Sequence, residues 1–131
     1  MTIVVHVEIP VTNLERAIVF YSTVFQVAFS LPVIVHGNKM AHFPFSEGQE
    51  GASAALAEGE IYKPSQHGAV IYFNVEDIDA LLKRAEQASS AVLFPKTDAG
   101  GGIFVAEIED SEGNRIAVQQ MSKKYEHACC D

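Results

Sequence analysis

His6 and Glu8 stand two residues apart in the stretch VVHVEIPV, Val4–Val11. On a strand, residues i and i+2 share a face. The pair therefore points one way with Val4, while Val5, Val7 and Ile9 point the other. An imidazole can bind a ligand or give and take a proton near neutral pH. A carboxylate one pleat along can orient it or attract a cation. Tyr72 and Asn74 share a face with Val70 and offer an aromatic wall and an amide handle. Gln119 shares the face of Ala117, and His42, next but one to Met40, offers a second imidazole near Phe43 and Phe45. His67 and Glu107 show no metal-ligand spacing with His42 or with each other. Asn114 and Arg115 read as turn and strand-start residues. Chain order alone supports no Ser-His-Asp, Cys-His or paired-carboxylate arrangement.

The elements that must position these groups come in two copies. Residues 6–15, HVEIPVTNLE, align with residues 70–79, VIYFNVEDID. Each copy is an apolar strand ending in Val, then a small or acidic residue, Asn or Asp, Leu or Ile, and an acid. A helix follows each. In the first, Thr12 to Glu15 reads as a capping box, and Leu14, Ala17, Ile18, Tyr21 and Phe25 fall on one helical face. In the second, Asp77 is the expected N-cap, with Ile78, Leu81, Leu82 and Ala85 as the stripe. Strand-like runs follow at Ala28–Val35, Lys39–Phe45 and Ala52–Leu56, and again at Ala91–Pro95, Ile103–Ile108 and Arg115–Gln120. The turns Ser46–Gly51 and Asp110–Asn114 are rich in turn formers. Gly100–Gly102 reads as a flexible stretch, and lacks the strand before and helix after that a phosphate loop needs. The polar joint Glu58–Gly68 separates module one, about residues 2–60, from module two, about 68–121. Residues 122–131 form a tail. The order is strand-helix-strand-strand-strand, twice. Neither half reads as able to bury its sheet alone, so one domain with a ligand cleft between the halves is expected.

With 131 residues, 48% of them apolar, the chain suits one compact domain. Its net charge of −8 and lack of a basic patch argue against nucleic acid and anionic membrane surfaces. No apolar run approaches the roughly 20 residues of a membrane span, and the N-terminus lacks signal-peptide features. A soluble, cytoplasmic protein is expected. Cys129 and Cys130, the two cysteines, support neither a disulfide framework nor C-x-x-C spacing and read as reduced thiols.

Three stretches mark a family: VEIPVTNLERAIVFYSTVF (Val7–Phe25), YFNVEDIDALLKRAEQ (Tyr72–Gln87) and IEDSEGNRIAVQQ (Ile108–Gln120). With the joint GEIYKPSQHG, they make the chain resemble the vicinal oxygen chelate superfamily over roughly residues 2–121. That superfamily holds glyoxalase I, extradiol dioxygenases, and fosfomycin and bleomycin resistance proteins. The resemblance implies an α+β fold in which two βαβββ modules form a U-shaped mixed sheet around a cavity, and a homodimer. It also implies, for the metal-dependent members, two ligands per module that leave coordination positions open for substrate oxygens. The first falls on His6. Its counterpart falls on Val70, the last glutamate on Ala117, and the first module's glutamate within residues 52–57, ASAALA, which contain no acid. A divalent ion needs about three protein ligands or more.

The expected function is therefore metal-independent and cofactor-free binding of a small molecule in the cavity between modules or across the dimer. A cationic ligand suits the acidic chain. The expected contacts are His6, Glu8, His42, Tyr72, Asn74 and Gln119, with His6 the candidate for proton transfer. Two other readings stay open: a glyoxalase-type lyase or dioxygenase using His6 with non-family ligands, and a partner-binding regulator with a vestigial cavity.

Overall fold

A computed structural model describes residues 3–121; Cys129, Cys130 and the tail lie outside the described residues. The chain divides into two compact units between Pro64 and Ser65, inside the expected joint. The first unit contains β1 (His6–Val11), α1 (Leu14–Phe25), β2 (Val33–Val35), β3 (Asn38–His42) and β4 (Ser53–Glu58). The second contains β5 (Tyr72–Asn74), α2 (Ile78–Gln87), β6 (Val92–Gly100), β7 (Ile103–Glu109) and β8 (Arg115–Met121). The twofold strand-helix-strand-strand-strand order and the α+β class are as read from the sequence.

Each unit carries one four-stranded mixed sheet, ordered β1-β4-β3-β2 and β5-β8-β7-β6. The first strand of each unit runs parallel to its last, and the remaining pairs are antiparallel. The period-two pattern of β1 buries Ile9 and Val11, while His6 and Glu8 face outward. The face of the first sheet that carries Ile9 and Leu56 packs against Leu14, Ala17, Phe20, Tyr21 and Val24 of α1. In the second unit, Ile78, Leu81 and Ala85 of α2 join Ile108, Ile116 and Val118 in the core.

Several boundaries differ from the sequence reading. Strand β1 starts at His6, so Val4 and Val5 precede it and are exposed. The run Ala28–Val35 is strand only over its last three residues. Strand β6 continues past Pro95 to Gly100, and Pro95 lies within a register shift between Phe94 and Thr97. An edge strand with a bulge tolerates the missing amide. Gly100, Gly101 and Gly102 all take positive φ and turn β6 into β7, so this stretch is a built hairpin turn rather than a loose segment. On α1, Phe20 and Val24 are buried in place of Ile18 and Phe25, so the core-facing stripe is rotated from the expected one.

The capping box at Thr12 is also corrected. Asn13 is the N-cap of α1, and its side chain accepts from the Arg16 amide at 3.0 Å. Asp77, the matching residue of the repeat, caps α2 through the Ala80 amide at 3.1 Å. A second acceptor reaches each helix start from the last strand of its own unit. Glu58 Oε1 takes the Leu14 amide at 2.7 Å, and Gln120 Oε1 takes the Ile78 amide at 2.7 Å. Parallel pairing opposes Glu58 to Val11 and so brings it to the helix mouth. Glu58→Ala leaves the Leu14 amide without this partner and should cost about 1–3 kcal/mol. Urea unfolding should show a lower midpoint at unchanged m value, and Glu58→Gln should recover most of the loss.

Candidate functional site

The β-ladders create one transverse row on the outward face of each sheet. In the first unit, Glu8 opposes Ala55, and Ala55 opposes His42. In the second, Tyr72 opposes Ala117, Ala117 opposes Glu107, and Glu107 opposes Phe94. Ala55 and Ala117 are the matching central positions of the two rows, and both are buried.

Around the first row the structure gathers His6, Glu8 and His42 with two residues that sequence reasoning missed, Ser53 and Tyr62. His6 Nδ1 lies 2.7 Å from Ser53 Oγ. His6 Nε2 lies 3.7 Å from Glu8 Oε2, with the two side chains 36% and 35% exposed. The Tyr62 hydroxyl donates to Glu8 Oε1 at 2.6 Å. The His42 ring stacks over His6 at 6.1 Å between centroids. Tyr62 also borders a cleft of ≈ 340 Å³ lined by Val11, Thr12, Glu58, Glu60 and Lys63 among others. The signal for Ser53 was the parallel pairing of first and last strands, which sets it opposite His6. Tyr62 lies in the joint, and no periodicity pointed to it.

The phenol of Tyr62 titrates above its ordinary value of 10.0. The chief cause is its hydrogen bond to Glu8, followed by desolvation and the Glu8 charge. Because the folded value lies above the unfolded one, this contribution to stability is intact below pH 10 and is lost as pH rises beyond it. In an ultraviolet titration, one of the four tyrosines should ionise late and return toward 10 in Glu8→Ala.

The remaining predicted residues lie in the second unit. Asn74 pairs in register with Gln119, and Tyr72 stands 53% exposed. Near them Arg115 forms a fork-like ion pair with Glu107, Nη2 to Oε2 being 3.1 Å, and its guanidinium carbon lies 5.7 Å from the Phe94 ring centroid. The pairing with Glu107 pushes the Arg115 guanidinium further up from an already high value. Arg115 is thus part of a built face, not merely a strand start. The turn Asp110–Asn114 fixes the hairpin register and puts Glu107 diagonal to Arg115, a relation readable from the sequence. His67 is exposed in the joint.

The family's divalent ion does not fit these residues. Of the positions implied as ligands, His6 has a donor. Val70 and Ala117 present hydrocarbon, and residues 52–57 contain no acid. Among the described residues, no group of three or more His, Cys, Asp or Glu is placed to hold a metal ion.

Known proteins share the architecture. A glyoxalase family protein from Bacillus cereus superposes with a TM-score of 0.72 at 16% identity, covering 93% of this chain and 96% of that one. TnmS3, an antibiotic binding protein from Streptomyces sp. CB03234, gives 0.70 at 22% identity, with 93% and 98% covered. The fosfomycin resistance protein FosX from Listeria monocytogenes gives 0.67 at 13% identity, with 95% and 98% covered. No curated protein matches the chain in sequence. No helix among the described residues is long and apolar enough to cross a membrane. The family model of the Glyoxalase/Bleomycin resistance protein/Dioxygenase superfamily matches residues 3–118. The paired βαβββ units and that match together make the chain a member of this superfamily.

Proposed function

We propose that the protein binds a small basic molecule without a metal ion, using the outward face of the first unit and the cleft beside it. The observation that carries this reading is the half-exposed chain Tyr62–Glu8–His6, next to a cleft whose size suits a small ligand. Glu8, Glu58 and Glu60 favour a cation there, as does the net charge of −8. His6 and His42 supply hydrogen bonds and ring surface. On the second unit, Tyr72, Asn74 and Gln119 are ligand-binding residues of that unit's own sheet face in this reading. Proteins of the same fold include one described as antibiotic-binding, which supports a sequestering role.

Thermal-shift screening with basic antibiotics and small cationic metabolites, in chelator, tests the proposal. A true ligand raises the midpoint with concentration by mass action, corresponding to about 2.7 kcal/mol at a hundredfold excess over Kd. Glu8→Ala should abolish the shift. Failure of every basic compound, or a shift that persists in Glu8→Ala, overturns the assignment. The proposal includes a homodimer, supported by exposed Val33, Ile34 and Val35 on edge strand β2. Light scattering should give twice the chain mass, and a monomer would remove that part.

A further inference from the structure

We propose that Ser53, His6 and Glu8 form a nucleophilic triad able to cleave activated esters. This goes beyond ligand binding and does not depend on it.

Ser53 opposes His6 on adjacent parallel strands, and its Oγ lies 2.7 Å from Nδ1. The other ring nitrogen, Nε2, faces Glu8 Oε2 at 3.7 Å. At this ion-pair distance, beyond a hydrogen bond, the carboxylate's negative charge favours the tautomer with hydrogen on Nε2. Nδ1 then holds the lone pair and accepts the Ser53 hydroxyl. The Val5 carbonyl oxygen is the alternative acceptor for that hydroxyl, at 3.2 Å against 2.7 Å. Glu8 is held in turn by the Tyr62 hydroxyl at 2.6 Å. Nucleophile and base thus meet at hydrogen-bond distance, with the acid at ion-pair distance behind the base, an arrangement by which such sites are recognised irrespective of chain order.

In the reaction, Ser53 Oγ bonds to the ester carbonyl carbon as its proton passes to His6 Nδ1. The Glu8 charge, 3.7 Å from Nε2, stabilises the resulting imidazolium. The bond from carbon to the leaving oxygen breaks, and Nδ1 returns the proton to that oxygen. Water then attacks the acyl carbon and gives a proton to Nδ1, which passes it to the departing Ser53 Oγ. One ester and one water yield one acid and one alcohol. Aryl esters are the matching substrates, because a phenolate departs readily and solvent can meet the oxyanion at this open face.

The test uses full-length protein in chelator with p-nitrophenyl acetate, and a fluorophosphonate probe with peptide mass mapping. Nitrophenol release should exceed the buffer rate and fall at least about tenfold in Ser53→Ala and in His6→Ala. Glu8 acts through His6, so Glu8→Gln should lower kcat with KM unchanged, and Glu8→Asp should restore part of it. The phosphonyl mass should sit on Ser53. Hydrolysis at the buffer rate, undiminished hydrolysis in folded Ser53→Ala, or a label on another residue overturns the proposal. If Ser53→Ala does not fold, the labelled residue in the unsubstituted protein decides. Ligand-dependent thermal shifts can survive such a failure, which separates it from failure of the binding assignment.

Discussion

Tyr21→Ala should destabilise the protein by about 3–5 kcal/mol, the range for removing a buried aromatic ring. Tyr21 is fully buried on α1 and joins an aromatic cluster. Its ring meets Phe20 edge-on at 5.3 Å, stacks on Phe25 at 5.6 Å and meets Phe43 edge-on at 5.7 Å. Phe43 follows directly on β3 and packs on Phe29 at 4.6 Å. Removing the ring leaves a cavity beneath the strand that presents His42. The melting midpoint should fall by about 10–20 °C for a chain of this size. Tyr21→Phe keeps the ring contacts and should lose far less. A midpoint for Tyr21→Ala within a few degrees of the unsubstituted protein would mean that this cluster does not hold the first unit together.

Asp110→Ala should cost about 2–4 kcal/mol, through lost charge-assisted hydrogen bonds rather than lost volume. Asp110 and Asn114 are the buried polar residues among those described. Asp110 Oδ1 accepts from the amides of Glu112 and Asn114, both at 2.8 Å, and Oδ2 accepts from Asn114 Nδ2 at 2.9 Å. Asn114 Oδ1 in turn accepts the Ser65 amide at 3.0 Å. Gly113 completes the turn at φ 92°, where a side chain would be strained. This turn sets the β7–β8 register and with it the meeting of Glu107 and Arg115. Hydrogen exchange in Asp110→Ala should rise across β7 and β8 more than across β1 and β4. Uniform change over both units would contradict the local role. Asp110→Asn keeps one acceptor oxygen and should fall between the two proteins.

The repeat made the fold legible. An apolar strand, an Asn or Asp, and a helical stripe recur after 64 residues, and this predicts the order of all ten elements. The same offset equates Asn13 with Asp77, so the true cap of α1 was readable there. Thr12 matches the capping-box pattern, which is local, whereas Glu58 reaches the helix start from a strand 44 residues away. The end of β6 was missed because proline normally stops a strand, and only the edge position and bulge at Pro95 permit it to continue. At the site, period two puts His6 and Glu8 on one face without any tertiary knowledge. Ser53 required the parallel register across 47 residues, and Tyr62 required the path of the joint. Side chains brought together by long-range register carry no periodic signal of their own.

Metal content tests the central claim most directly. His6 stands where the family places its first ligand, while Val70 and Ala117 offer no donor at their positions and residues 52–57 contain no acid. Untagged protein purified without chelator should therefore contain no stoichiometric nickel, zinc, iron or manganese by elemental mass spectrometry, and His6→Ala should leave the metal content unchanged. One equivalent of such a metal per chain, lost in His6→Ala, would contradict the account.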